Sequence, residues 1–146
     1  MSRTVALICM LVVGGLAGIQ PAANAAMAKH VSDIGAAAVS ITISFAIIMT
    51  LLVVAGHPGR LSGLSAFRPE WALGGIAGAA IVGVSLVAVR PLGVGVLTSL
   101  LVAGQLAAGL LADRYHWFGI HHAALSLGRI GGFVLVVAGT VLITRT

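Results

Sequence analysis

The sequence predicts an all-α membrane protein with five transmembrane helices. Its eight basic and three acidic residues all lie at the edges of long apolar runs, and a helix needs about 20 apolar residues to cross a bilayer. Hydrophobic residues make up 60% of the chain and charged residues 8%, which argues against a soluble fold. The uncharged runs are 4–28, 34–56, 71–89, 92–112 and 130–144.

The first run, 4–28, also imitates a signal peptide. Arg3 precedes the apolar residues, and Ala23-Asn24-Ala25 resembles a cleavage site whose use would leave four spans. Because the run is longer than the usual apolar core of a signal peptide, we predict that it is a transmembrane helix. The connections between runs are too short to form a separate core, so residues 1–146 are predicted to be one transmembrane domain.

Turn-forming and helix-starting residues mark the next boundaries. Asp33 begins the second span, and the Gly-His-Pro-Gly segment 56–59 ends it. After a predicted loop over 57–70, the Pro-Glu-Trp segment 69–71 starts the third span, because proline suits the first helical position and tryptophan suits the membrane interface. Arg90-Pro91 predicts a tight link, so the third and fourth spans should be antiparallel neighbours.

The fifth run is short for a membrane span, since about 15 residues extend only about 22 Å as a helix. We therefore predict that this helix starts near Ala123 and covers 123–144, which places Arg129 more than one turn inside. A buried guanidinium needs a carboxylate, and Asp113 ends the fourth span on the same side, so we predict a buried Asp113–Arg129 ion pair. The alternative is that Arg129 extends to the lipid headgroups.

Small residues at four-residue spacing predict close helix packing, either within the chain or between two chains. The pairs are Gly14 with Gly18, Gly74 with Gly78, Ala79 with Gly83, and Gly128 with Gly132.

Polar residues inside the spans are the candidates for a binding site. Gln20 and Asn24 share one helix face, and Pro21 between them predicts a helix break that exposes the carbonyl of Ala17. Gln105 lies about two turns before the end of the fourth span. We predict that these amides converge on one polar cavity; the alternative is that each amide only bonds one helix to another.

Trp71 is predicted to line the same cavity, so the predicted substrate-binding set is Gln20, Asn24, Trp71 and Gln105. Its ring could attract an amine by a cation–π contact, and the alternative is a position at the membrane interface.

Several other classes of function have little support. Basic residues are dispersed singly, which argues against nucleic-acid binding. His121 and His122 are consecutive and would point apart on a helix, so no metal site is predicted, and no cofactor is implied. Cys9 is a lone cysteine in an apolar run. No nucleophile–base pattern predicts an enzyme, and no span carries a central carboxylate for proton coupling.

Five short motifs are spread over nearly the whole chain: QPAANAAM (20–27), WALGGIAG (71–78), PLGV (91–94), GQL (104–106) and RIGG (129–132). Together they resemble the YdcZ-type small bacterial members of the drug/metabolite transporter superfamily, although Lys29, His30 and Asp33 make the first connection unusually charged. The resemblance implies five helices in a bacterial inner membrane and half of an inverted-repeat, ten-helix transporter that is completed by dimerisation.

The distribution of basic residues predicts how such a dimer would assemble. Five of them, counting Arg129, fall on one side of the membrane and three on the other, a bias weak enough for a chain that inserts in both orientations. An antiparallel homodimer is the leading assembly, and a heterodimer with a related five-helix chain is the alternative.

The leading functional hypothesis is a secondary transporter that moves a small organic solute by alternating access. The alternative is a non-transporting accessory or assembly protein whose polar residues only hold helices together. A passive channel would need a continuous polar stripe along one helix, and no span has one.

Overall fold

The computed structural model describes residues 2–56, 59, 65, 67–115 and 126–145. Within these ranges the chain folds into four long helices, and a 3-10 helix at Pro69–Trp71 leads into the third. Each long helix has the length and apolar composition to cross a membrane, so the predicted all-α, membrane-compatible fold is confirmed. The long helices are α1 (Arg3–Val31), α2 (Asp33–Val54), α3 (Ala72–Tyr115) and α4 (Leu127–Arg145).

The outer surface of the helices is apolar. Leu11 is 78% exposed, Ile34 84% and Leu127 89%. Exposure of this much contiguous apolar surface to water is unfavourable, whereas contact with lipid tails carries no such free-energy cost. The surface therefore fits a bilayer.

The chain divides into two compact units, Met1–Pro91 and Leu92–Thr146. The first unit contains α1, α2 and the part of α3 before Leu92. A small core forms where Ala28 of α1, Ala36 of α2 and Leu86 of α3 are all buried, with Met27 packed against them. Small side chains at two of these positions let the helices approach closely.

A single residue, Ser32, separates α1 from α2. Its backbone angles are φ 75° and ψ 165°, a conformation that residues other than glycine rarely adopt. The Ser32 hydroxyl accepts a hydrogen bond from the Gly35 N–H at 3.2 Å, and the Ser32 N–H donates to the Ala28 carbonyl at 3.1 Å. These bonds cap the end of one helix and the start of the next.

The helix α3 is interrupted at Gly93, where φ is 72° and ψ is 165°. Arg90 and Pro91, the predicted link, both have helical geometry, so the break lies two residues later than predicted. The reason is conformational: glycine adopts this backbone region readily, and proline is held near φ −65°.

Two further predictions about helix bounds are wrong. The expected break at Pro21 is absent, because α1 continues through it; a missing N–H removes one hydrogen bond but leaves the helical angles of proline intact. Arg129 lies in the first turn of α4 rather than deeper, because the Ser126 hydroxyl accepts from the Arg129 N–H at 3.3 Å and caps the helix there.

Five glycines of the predicted small-residue pairs have no close neighbour in the described part of the chain. A Cβ atom added at Gly14, Gly74, Gly78, Gly83 or Gly132 would meet nothing within 4 Å. Packing between chains remains a prediction.

Some predictions fall where the structure gives no description. Most of the predicted loop 57–70, His121 and His122, and the predicted start of the fifth span at Ala123 lie outside the described residues.

Candidate functional site

The second unit contains a cleft of about 570 Å³ between α4 and the part of α3 that follows Gly93. The α3 residues that line it recur every three or four positions, and so do those of α4, as expected for two helix faces that oppose each other. The lining residues are Gln105, Leu106, Gly109, Leu110 and Asp113 from α3, and Arg129, Gly132, Phe133 and Val136 from α4.

Two glycines create the space in the middle of the cleft. Gly109 lies on α3 and Gly132 on α4, and a Cβ atom at either position would meet nothing within 4 Å. Any larger residue on these faces would project into the cleft. The cavity therefore depends on the absence of two side chains.

One end of the cleft is charged. Arg129 Nη1 lies 3.1 Å from Asp113 Oδ2, which brings together the two residues that the sequence predicts to pair. The side chains are 40% and 38% exposed, so the expectation of a buried pair is wrong. Arg129 occupies the first turn of α4, where fewer helix neighbours surround a side chain than deeper in the span.

The other polar residue of the cleft is Gln105, an exposed side chain eight residues before Asp113. That separation is about 12 Å along a helix. Among the described residues, no hydrogen bond to the Gln105 amide is present. An amide that lines a cavity at membrane depth without a partner is available to a polar ligand.

A second polar contact joins the same two helices beyond the cleft. Thr140 is 6% exposed, and its hydroxyl donates a hydrogen bond to the Ser99 carbonyl at 3.2 Å. Together with the Asp113–Arg129 pair, it holds α3 and α4 on either side of the cleft.

The predicted site residues of the first unit are placed differently. Asn24 is 5% exposed and Pro21 is also buried, whereas Gln20, one turn before Asn24, is half-buried. The two amides lie on the same face of α1, as predicted. Whether they converge with Gln105 remains a prediction.

Trp71 lies away from the Gln20 and Asn24 amides of α1. Trp71 is 50% exposed, and its ring makes an edge-on contact with Phe67 at 6.0 Å between centroids. Trp71 precedes Arg90 by about 28 Å of helix, while Asn24 precedes the α1–α2 turn by about 12 Å. Arg90 contacts that turn through Asp33, so Trp71 and Asn24 lie at different depths.

The Asp33–Arg90 ion pair was not predicted from the sequence. Arg90 Nη1 lies 3.0 Å from Asp33 Oδ2, and Arg90 Nη2 contacts Asp33 Oδ1, so the pair is bidentate. The signal that could have found it is topological: Asp33 begins the second predicted span and Arg90 ends the third, which places both at the same membrane surface.

The cleft-lining role of Gly109 and Phe133 was also missed. Neither residue is polar, so composition offered no reason to select them from the apolar residues around them.

Comparison with known families identifies the chain's family. The sequence profile of the family described as "Putative inner membrane exporter, YdcZ" matches residues 5–142, nearly the whole chain. That description names transport rather than catalysis. No curated protein and no solved structure is similar enough to count as a match.

Proposed function

This chain belongs to the YdcZ family, and we propose that it moves a small organic solute across the bacterial inner membrane by alternating access. The observation that carries the proposal is the cleft of the second unit. It combines a cavity of solute size, an ion pair and the Gln105 amide, which has no hydrogen-bond partner among the described residues, within one apolar helix pair. Transporters bind solutes at such interruptions of apolar packing.

Five membrane crossings are supported by the length of α3. Its 44 residues correspond to about 66 Å, about twice the thickness of the hydrocarbon core. Gly93 interrupts the helix near its middle and has almost the same backbone angles as Ser32, the single residue between α1 and α2. We propose that α3 supplies two crossings.

A dimer is supported by what one chain leaves uncovered. The described residues that line the cleft come from two helix segments, and several glycines on α1 and α3 face open space. An odd number of crossings puts the termini on opposite sides, so a second copy in the inverted orientation would supply the other half. We propose an antiparallel homodimer; a related five-helix chain could take the same place.

Transport can be tested in liposomes that contain the purified protein and a mixture of small metabolites. The rate at which each solute leaves is followed by mass spectrometry. We expect at least one solute to leave faster than from protein-free liposomes and expect Gln105→Leu to slow its exit by about tenfold or more, because a lost polar contact of about 1.4 kcal/mol changes a rate tenfold.

The matched control is Val102→Leu, which changes an exposed apolar residue of α3 outside the cleft lining. It should leave transport unchanged. If no solute leaves faster than from protein-free liposomes, the transport proposal fails.

The accessory-protein alternative makes a different prediction for the same variants. If the amides only hold helices together, Gln105→Leu and Asn24→Leu should abolish dimer formation, measured by cross-linking in membranes. If they bind solute, transport should be lost while the dimer persists.

A further inference from the structure

The charges at the end of the cleft restrict the solutes that it could hold. Asp113 and Arg129 are the ionisable residues among its lining residues, and their formal charges cancel. A solute with one charge would be attracted by one partner and repelled by the other at nearly the same distance. A solute with both charges would be attracted by both.

The spacing of the protein charges matches that of a compact zwitterion. Arg129 Nη1 and Asp113 Oδ2 are 3.1 Å apart. In a molecule with an ammonium and a carboxylate on the same carbon, the nitrogen and nearest oxygen are about 3 Å apart by standard bond lengths. Such a solute can place its ammonium on the carboxylate and its carboxylate on the guanidinium at the same time.

The carboxylate has room for this arrangement. Only Oδ2 of Asp113 contacts Arg129, and the Asp113 side chain is 38% exposed. Within the described part of the chain, Oδ1 has no hydrogen-bond partner. An ammonium could therefore bind Oδ1 without first breaking the pair.

The rest of the cleft suits a solute whose remaining part, here called its body, is apolar. Leu106, Leu110 and Phe133 line it between the ion pair and Gln105, and Gly109 and Gly132 leave space for a ring. The roughly 12 Å from Asp113 to Gln105 along α3 limits the length of that body. A polar group at its far end would meet the Gln105 amide.

Resting on the transport function proposed above, we propose that this cleft binds zwitterions whose ammonium and carboxylate share one carbon and whose body is apolar or aromatic. Their two charges bind Asp113 and Arg129 reciprocally, and their body lies against Phe133 and the glycines.

The test uses three probes with the same aromatic ring. Phenylalanine carries both charges, phenethylamine only the ammonium, and 3-phenylpropionate only the carboxylate. Binding of radiolabelled phenylalanine to the purified full-length protein in detergent is measured, and the other two compete with it. We expect phenylalanine to bind at least about tenfold more tightly than either analogue, because each analogue makes only one of the two charge contacts and is repelled by the other protein charge.

Equal binding of the amine would identify a cation site, and equal binding of the acid would identify an anion site that a lipid phosphate could also occupy. Either result overturns the proposal, as does the absence of phenylalanine binding at millimolar concentration.

Two variants locate the binding. Gly132→Leu should fill the cleft and reduce phenylalanine binding by about tenfold or more, whereas Gly131→Leu, the neighbouring glycine outside the lining, should bind like the unchanged protein. Unchanged binding by Gly132→Leu would place the ligand elsewhere. If Gly132→Leu does not fold, the three-probe comparison still decides.

The outcome is separable from that of the transport proposal. Liposomes that export another solute, combined with no phenylalanine binding, would overturn only the zwitterion site. Selective phenylalanine binding with no export of any solute would overturn only transport.

Discussion

At the scale of single residues, Ser32 and Gly93 share a backbone conformation that dictates where helices end. Both have φ above 70° and ψ of 165°. Glycine adopts these angles freely, but a serine side chain at the same angles costs about 1–3 kcal/mol. Ser32 offsets part of this cost by capping α2 through Gly35.

Replacing Ser32 with glycine is therefore expected to stabilise the protein by about 1 kcal/mol, because relief of backbone strain exceeds the few tenths lost from the cap. The measurement is the unfolding temperature in detergent, which should rise by a few degrees. Ser32→Ala, which keeps the strain and loses the cap, should lower it. A lower unfolding temperature for Ser32→Gly would contradict the strain argument.

The converse substitution is Gly93→Ala. An added Cβ would meet no atom within 4 Å, so any loss of stability comes from the backbone conformation alone. We expect destabilisation of about 1–2 kcal/mol, measured in the same unfolding experiment. Gly95→Ala, two residues later in helical geometry and equally uncrowded, should instead be neutral or slightly stabilising. Equal effects of the two variants would show that the angles at Gly93 carry no constraint.

At the scale of helices, α3 and α4 are joined on both sides of the cleft. The Thr140 hydroxyl donates to the Ser99 carbonyl at one side, and Asp113 pairs with Arg129 at the other. Thr98 Oγ1, one residue before Ser99, is buried without a hydrogen-bond partner among the described residues. Thr98 on α3 and Thr140 on α4 thus differ in whether the hydroxyl has a hydrogen-bond partner among the described residues.

This difference predicts opposite results for the same substitution. Thr140→Val should destabilise the protein by about 1 kcal/mol, because it removes a hydrogen bond between helices. Thr98→Val should be neutral or stabilising, because it removes a buried hydroxyl that has no partner. The unfolding temperatures of the two variants are compared in detergent. Equal losses of stability would refute the assignment of the Thr140 hydrogen bond.

The Asp33–Arg90 pair joins the start of α2 to α3 just before Gly93. Its side chains are 34% and 52% exposed, so its coupling energy should be modest, about 0.5–1 kcal/mol. A double-mutant cycle with Asp33→Asn and Arg90→Gln measures this coupling in unfolding experiments and separates it from the favourable effect of Asp33 on the α2 dipole. A coupling energy of zero would mean that the pair does not hold these elements together.

At the scale of the whole molecule, orientation in the membrane decides whether one chain can form a complete transporter. Arg129 is 40% exposed in its pair with Asp113, so it counts with the other basic residues, and the balance between the two predicted sides is five against three. This is a weak bias, compatible with the proposal that the chain inserts in both orientations.

We therefore expect a dual reporter fused to the C-terminus to give both periplasmic and cytoplasmic signals in cells that express only this chain. The two signals should have similar strength, because the two orientations would be populated about equally. Adding basic residues at the N-terminus should shift the signals toward one side. A single signal in the unmodified chain would rule out the inverted homodimer and point to an oppositely oriented partner chain.

The sequence by itself determined the class of the protein and the approximate positions of its long apolar helices. The spacing of charges along the chain is a one-dimensional property, set by the free energy of moving each charge into hydrocarbon. The same reasoning placed Asp113 and Arg129 on one side of the membrane, where the structure pairs them.

Only the tertiary structure decided where the cleft lies and which residues line it. The helices are apolar on all sides, so hydrophobic periodicity does not indicate how each helix is rotated about its axis. That rotation points Gly109 and Gly132 into the cleft. The break at Gly93 likewise depends on backbone angles that proline at 91 does not reveal.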